Sequence, residues 1–486
     1  MAVDPLPVRR RRLLALGVAV LAAAGLAAGL AIGLGGGGTA QRPLVGAGRP
    51  ARSIDPLSYS PGLDSDLIRR ATAGYSHVLY AKSPGGVTAT ARRVAAWRPQ
   101  VERAAASSGG IVDPDTLEAI VFLESGGRAD VIAGGRDPTN AAGLTQIVAQ
   151  TGQSLLGMRI DLARSRRLTA RARRELARGH PHAAAVALAA RRRADQRFDP
   201  AAALAATIRY LKIARGRLGR DDLAVVSYHM GIGNLQAVLA AYGESRPSYV
   251  RVFFDSSPLR HAAAWRLLAS FGDDSSTYWW RVLAAKEIMR LHRHDPSRLA
   301  RLDELQTNKA SAEEVLHPEE STEVLRTPGD VAAARRAGKL VALPGNPAVL
   351  GFRIDRRMGE LAPKLGQRPA LYRALAPAAL AAAEWMGPTI RRISGVAGPL
   401  DMTSAVRDQR YQGLLLATNV EATSRYSMHT TGFAFDVLRR YRSHAQAMAF
   451  QFVLDRLQAL NLIAWVREPA AIHIAAASDA AGLRRP

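Results

Sequence analysis

Four consecutive arginines, Arg9 to Arg12, stand immediately before an uncharged run from Leu13 to Leu34. At ~1.5 Å per residue, that run makes a helix about 33 Å long, enough to span a bilayer core. The apolar stretch of a cleaved signal is shorter, roughly 7–15 residues. Thr39-Ala40 is also a poor cleavage signal, so residues 13–34 are expected to remain as a transmembrane anchor, with cleavage as the alternative. The arginines should keep residues 1–12 in the cytoplasm as a basic tail. Everything after Gly35 is then expected to fold on the far side of the membrane. Gly25, Gly29 and Gly33 recur every fourth residue, a spacing that lets two such helices pack closely. In an Ala- and Gly-rich run the same spacing also arises by chance.

The remaining chain is long enough for two or three domains, each with its own core. Lys and Arg number 66 against 41 Asp and Glu, a formal net charge of +25. Such a chain favours polyanions: nucleic acid, an anionic membrane or an acidic wall polymer. An exported chain meets the wall rather than nucleic acid, and no aromatic-basic recognition motif is present, so no nucleic-acid partner is expected. The same charge also serves solubility. There is no cysteine, which excludes disulfides and thiolate zinc sites and leaves His, Asp and Glu as the only strong metal ligands.

Residues 35–62 are rich in Gly, Pro and Arg and read as a flexible linker. From 63 to 305 the apolar spacing is helical almost throughout. Within it, residues 155–198 form a basic, Ala-rich insert, expected as solvated helices. Residues 306–344 are polar and read as a second linker. From 345 to 486 the pattern mixes short strands, at Gly432–Leu438 and Ala470–Ala476, with helices at 370–386 and 444–460. The expected architecture is therefore multidomain: an N-terminal transmembrane helix, a mainly α domain and a smaller α+β domain.

Asp113-Pro114 is a strong helix start, an N-cap acceptor followed by proline in the first turn. Leu117, Ile120, Val121 and Glu124 then share one helical face, and Gly126-Gly127 ends the helix. A carboxylate on an apolar face at a helix C-terminus is disfavoured as an anion, by desolvation and by the helix dipole. That environment suits a general acid near neutral pH. A glutamate at a helix end that merely reaches solvent is the plainer alternative.

Two further strings follow Glu124-Ser125. They are Ala142-Gly143-Leu144-Thr145-Gln146-Ile147 with Thr151, and Ser227-Tyr228-His229-Met230-Gly231-Ile232-Gly233-Asn234. Phe198-Asp199-Pro200 and Tyr210-Leu211 lie between them. Over roughly residues 110–255 this order resembles the family 1, soluble-type lytic transglycosylases, whose fold is lysozyme-like. The resemblance implies that Glu124 protonates the glycosidic oxygen between MurNAc and GlcNAc. The same carboxylate then acts as base on the MurNAc C6 hydroxyl, giving a 1,6-anhydro product. No water attacks, so a second carboxylate is not required, unlike ordinary glycosidases. By the same resemblance Ser125 and Tyr228 orient the carboxylate or the sugar, and Gln146 contacts the glycan. The family's Met is Thr145 here, and its Asn is His229. His229 either hydrogen-bonds the sugar or is a satisfied structural residue.

Ser427-Met428-His429-Thr430-Thr431-Gly432-Phe433-Ala434-Phe435-Asp436 is the most specific string in the chain. With Met402 to Arg407, Tyr411-Gln412 and Ile472-His473-Ile474, it resembles the M15 family of D-Ala-D-Ala carboxypeptidases and related endopeptidases, over roughly residues 345–477. A catalytic zinc takes three protein ligands and keeps an open position. The resemblance implies His429, Asp436 and His473 as those ligands, with His444 as a rival to His473, and Arg407 facing a substrate carboxylate or developing oxyanion. The carboxypeptidase branch has a Glu base three residues before the last His. That position is Ala470 here, and the nearest acid, Glu468, falls on the opposite strand face unless Pro469 bends the chain.

The expected function is peptidoglycan degradation: glycan cleavage at Glu124, and zinc-dependent stem-peptide cleavage with Glu468 as candidate base. Two alternatives stand beside it. One is a transglycosylase with a non-catalytic M15-like wall-binding module, and the other is a wall-bound scaffold without turnover. Expected partners are glycan strands and stem peptides, the membrane through residues 13–34, and proteins of wall synthesis or remodelling.

Overall fold

A computed structural model describes residues 54–135, 137–309, 311–417 and 426–483. The anchor expected at 13–34 lies outside the described residues. Among the described residues, no single helix is long and apolar enough to cross a membrane.

The chain is mostly helical, with a small sheet near its C-terminus. Before Val341 the described residues contain isolated β-bridges but no longer strand. Helix α1, Pro114–Ser125, begins as its sequence predicts: the Asp113 side chain accepts from the Asp115 and Thr116 amides. It ends at Gly126, which takes a left-handed conformation with φ of 57°. Leu117, Ile120 and Val121 are fully buried. The basic insert forms two helices that pack on each other, α2 (Leu162–Ala177) and α3 (Pro181–Ala194). Most of its arginines are exposed, but Arg191 is buried, bonds Asp130 at 2.9 Å and lies 3.7 Å over the Phe198 ring. Of the helices α4 (Pro200–Leu218), α5 (Asp221–Met230) and α6 (Tyr278–His294), α6 packs on α1 and α5 packs on both α4 and α6, within one helical core.

The stretch 306–344 is packed rather than loose. It carries the short helix α7, Glu313–Leu316, and its Leu325, Val331 and Leu340 are buried. Glu313 and Glu314 are buried and paired with Lys309, whereas Glu319, Glu320, Glu323, Arg326 and Lys339 stay exposed, so polarity alone reads the whole stretch as a linker.

The C-terminal part is built on a five-stranded sheet: β1 (Phe352–Ile354), β2 (Leu400–Ser404), β3 (Ala434–Leu438), β4 (Ile463–Arg467) and β5 (Ala471–Ala476). The spatial order is β1-β2-β3-β5-β4, antiparallel except for β1 beside β2. Helices α8 (Pro377–Ser394) and α9 (His444–Ala459) cover it. The helix expected at 370–386 thus starts later, because residues 369–375 form a 3-10 turn and a two-residue strand.

One hydrophobic core runs through both parts. Arg456 on α9 bolts them together. Its buried guanidinium donates to the carbonyls of Phe254 (2.6 Å), Ser256 (2.6 Å), Pro56 (3.2 Å) and Phe253 (3.3 Å). Burial lowers its pKa to about 10. Arg456→Met keeps much of the volume but strands these carbonyls, and an unpaired buried polar group costs about 1–3 kcal/mol. The variant is expected to lose roughly 3 kcal/mol or more on that basis. Thermal melting checks this, and an unchanged midpoint would refute the bolt.

Candidate functional sites

The first site gathers around the C-terminal turn of α1. Glu124 is half-buried, and the Tyr278 hydroxyl donates to its Oε1 at 2.7 Å. Burial pushes the Glu124 carboxyl above its ordinary value, and the charge of Asp274 pushes the same way. Charge on His229 and the Tyr278 hydrogen bond oppose them without cancelling them. His229 stacks on Tyr278, ring centroids 5.1 Å apart, and its Nδ1 meets the Ser275 hydroxyl at 3.0 Å. Asp274 is an ion-pair partner of Arg281.

The other residues singled out by sequence hold the surrounding walls. The Tyr228 hydroxyl donates to the Thr145 carbonyl at 2.7 Å and lies 3.2 Å from the Thr207 hydroxyl, tying α5 to α4 and to the 142–147 loop. Gln146 is buried, with φ of 49°, and its amide nitrogen donates to the carbonyls of Gly143 and Val131. Its side chain thus shapes the loop. Ser125 is also buried, and its hydroxyl donates to the Val121 carbonyl one turn back.

That loop is locked from behind. Arg197 and Asp195, both fully buried, pair at 2.7 Å, and Arg197 also donates to the carbonyls of Pro138, Asn140 and Ile147. Gly143 packs onto this lock with φ of 83°, and a Cβ there would lie 1.7 Å from the Arg197 carbonyl oxygen. Gly143→Ala meets both a disfavoured conformation, about 1–3 kcal/mol, and a backbone clash. A lower melting temperature is expected, and a fully stable variant would disprove the fit.

The second site lies on the sheet. Asp436 on β3 sits directly opposite His473 on β5 in the antiparallel register, which brings facing side chains together. His429 comes from the 3-10 turn Met428–Thr431, closed by Gly432 with φ of 79°. The ligand atoms of His429, Asp436 and His473 lie within 4.8 Å of one another, all three residues are buried, and the group could hold a metal ion. His444 starts α9 and is not in the group.

The hydrogen bonds around the imidazoles sharpen this. His429 Nδ1 lies 2.7 Å from the Ala405 carbonyl, which can only accept, so that nitrogen carries the proton. Its Nε2, 3.2 Å from Asp436 Oδ1, is left with a lone pair. His473 Nε2 lies 2.9 Å from the Glu313 carboxylate, and its Nδ1 lies 2.9 Å from the same Asp436 oxygen. Release of the His473 Nδ1 proton would turn two ring nitrogens and a carboxylate oxygen toward one point, where a cation could take that proton's place. Two imidazoles and one carboxylate fit a zinc-type donor set. Burial alone would lower the His473 ring, but Glu313 and Asp436 outweigh it and push it up. Burial and the Arg407 charge lower the His429 ring, against the pull of Asp436.

Arg407 flanks the cluster. It donates to Asp436 Oδ2 at 3.3 Å, to the Ser404 hydroxyl at 2.6 Å and to Gln412 at 3.1 Å. Glu468 is not in the cluster. Residues 468–470 form the turn between β4 and β5, closed by the Glu468 amide on the Ala471 carbonyl at 3.0 Å. From there Glu468 acts on Arg407 through its charge.

Sequence reasoning missed Tyr278, Asp274 and Ser275 at the first site and Glu313 at the second. Tyr278 begins an aromatic run, Tyr278-Trp279-Trp280, but nothing local marks it as the partner of a residue 154 positions away. No protein-family model matches the chain, and no curated protein does.

Proposed function

We propose that this chain degrades peptidoglycan, cutting glycan strands at Glu124 and binding or trimming stem peptides at a zinc centre formed by His429, Asp436 and His473. The observation that carries the first half is the sheltered Glu124 carboxyl, raised in pKa by burial and held by the Tyr278 hydroxyl. A carboxyl that holds its proton to higher pH than an ordinary glutamate can give it to the glycosidic oxygen as the C1–O bond breaks. The resulting carboxylate takes the proton from the MurNAc C6 hydroxyl, whose oxygen closes on C1. Glu124 ends protonated, as it began, and no water is consumed. Tyr278 fixes the carboxyl, and Tyr228, which bonds the 142–147 loop, lies within reach of its charge. The reading includes a lysozyme-like helical domain, a membrane anchor at residues 13–34, and a positive surface that attracts anionic wall polymer.

At the second site, bound zinc supplies a Lewis acid toward a peptide carbonyl. Arg407 supplies positive charge beside it for a stem-peptide carboxylate or a developing oxyanion. Glu468 sits in a hairpin turn outside the cluster, which favours a second reading for this domain: a module that grips stem peptides without cutting them.

Digestion of purified peptidoglycan by the chain, with products identified by mass, tests both. Anhydro-muropeptides support glycan cleavage at Glu124 as written. Ordinary reducing ends would replace it with hydrolysis, with Asp274 as the first residue to test as second acid. Zinc-dependent peptide trimming separates the peptidase from the gripping module.

A further inference from the structure

We propose that Glu313, on the segment joining the helical part to the sheet, is a positioning residue for the metal ligand His473. This segment is thereby part of the metal centre and not a tether. The inference rests on the zinc reading of the His429, Asp436 and His473 cluster.

The argument starts from the proton on His473. An imidazole that ligates through one nitrogen must carry its proton on the other, and a carboxylate bonded to that proton fixes both the tautomer and the ring's tilt. Here Nδ1 faces Asp436 and Nε2 faces Glu313 Oε2 at 2.9 Å. Glu313 therefore touches the ring nitrogen on the far side from Asp436 and His429, so it acts through His473 and not as a ligand. It plays for His473 the part that the Ala405 carbonyl plays for His429, with a full negative charge added. That charge makes the ring a stronger donor to a cation.

Glu313 is itself held. It is buried, and its second oxygen accepts from Lys309 at 2.8 Å. Lys309 also donates to the Tyr426 carbonyl, just before the turn that carries His429, and bridges to Glu314 at 3.2 Å. Four residues after Glu313, His317 bonds the Ala476 carbonyl at the end of β5 at 2.7 Å and stacks on Phe433, centroids 3.9 Å apart. The segment is thus pinned to β5 and to the approach to His429. A buried acid with a half-buried cationic neighbour is costly to assemble for packing alone. Its placement on the one imidazole nitrogen that must be protonated accounts for that cost.

The test is zinc affinity of the full chain at fixed pH, by competition with a chromophoric chelator, beside melting of the zinc-free chain. Glu313→Ala is expected to weaken zinc binding about 10–100-fold, the range for loss of a metal ligand's outer partner. Glu313→Gln keeps an acceptor without the charge and is expected to fall between wild type and Glu313→Ala. In the cobalt-substituted chain, the visible ligand-field bands of Glu313→Gln should shift, because the field at His473 changes. A merely structural role would lower melting and leave affinity and bands where they were. Zinc affinity of Glu313→Ala within twofold of wild type would overturn the inference, and if that variant does not fold, wild-type affinity in Glu313→Gln would do so. Failure of the wild-type chain to bind zinc would instead overturn the metal reading on which the inference stands.

Discussion

Glu124→Gln is expected to abolish anhydro-muropeptide formation while leaving the fold intact. The amide preserves shape and can still accept from the Tyr278 hydroxyl at the position where Glu124 Oε1 accepts it, but it has no proton to give the glycosidic oxygen. Loss of a positioned acid alone costs ~10²–10⁴-fold. Because the proposed reaction uses the same group as base as well, the fall should reach at least the upper end. The pH profile follows from the direction of the pKa shift. Burial raises the Glu124 carboxyl, so the competent acid persists to higher pH than an ordinary carboxyl allows, and the rate falls as pH rises through the folded-state value. The stability sign is linked. A carboxyl whose folded pKa is raised binds its proton more tightly folded than unfolded. Its contribution is therefore fully present below the unfolded value and is lost as pH rises through the folded one. Above that window Glu124→Gln, which has no ionisation to suppress, should melt higher than wild type. An inactive variant with unchanged or raised melting, against an active wild type, is the expected pair of results. Persistent anhydro products would move the chemistry away from Glu124.

Much of this site is legible in the sequence because its signals are local. Asp113-Pro114, the apolar face Leu117–Ile120–Val121 and Gly126 fix α1, and with it the sheltered end where Glu124 sits. Gly143 marks a turn for a physical reason, a positive φ pressed against the Arg197 backbone. His429 and Asp436 fall within one short turn-and-strand unit, so a single string carries both. What is not legible depends on contacts between distant segments. Tyr278, the Arg456 bolt and Glu313 acquire their roles from packing across 154 to 400 positions, and no periodicity reports that. The segment 306–344 shows the reason most clearly. Lys309, Glu313 and His317 are polar and read as solvated, yet each spends its polarity on a partner in or beside the sheet. Composition registers the charge but not the partner. Glu468 shows the converse: strand alternation places it on a face, whereas a turn at residues 468–470 takes it off the strand altogether.

The sharpest expected result at the sheet is a loss of zinc-dependent behaviour in His429→Ala with glycan cleavage untouched. Changing an outer partner of a metal ligand costs about 10–100-fold in affinity, so removing a ligand should cost more than that upper figure. A ligand that binds only the folded chain stabilises it by about 2.7 kcal/mol at 100 times its Kd. Zinc should accordingly raise the melting temperature of wild type and leave His429→Ala unmoved over the same concentrations. Without zinc the comparison runs differently. The variant loses a buried ring and leaves the Ala405 carbonyl unpaired, but Asp436 keeps its His473 and Arg407 partners. Its zinc-free melting should therefore fall far less than its zinc response. Glu124 lies on α1 and is held by Tyr278 on α6, both in the helical part, so anhydro-product formation by His429→Ala should match wild type. If peptide trimming is present in wild type and vanishes in His429→Ala and on chelation, the centre is catalytic. If zinc binds and no trimming is seen in either, the gripping reading is the one left standing, with Glu468 held off the strand in the turn at residues 468–470. A wild-type melting temperature indifferent to zinc would remove the metal centre from the account.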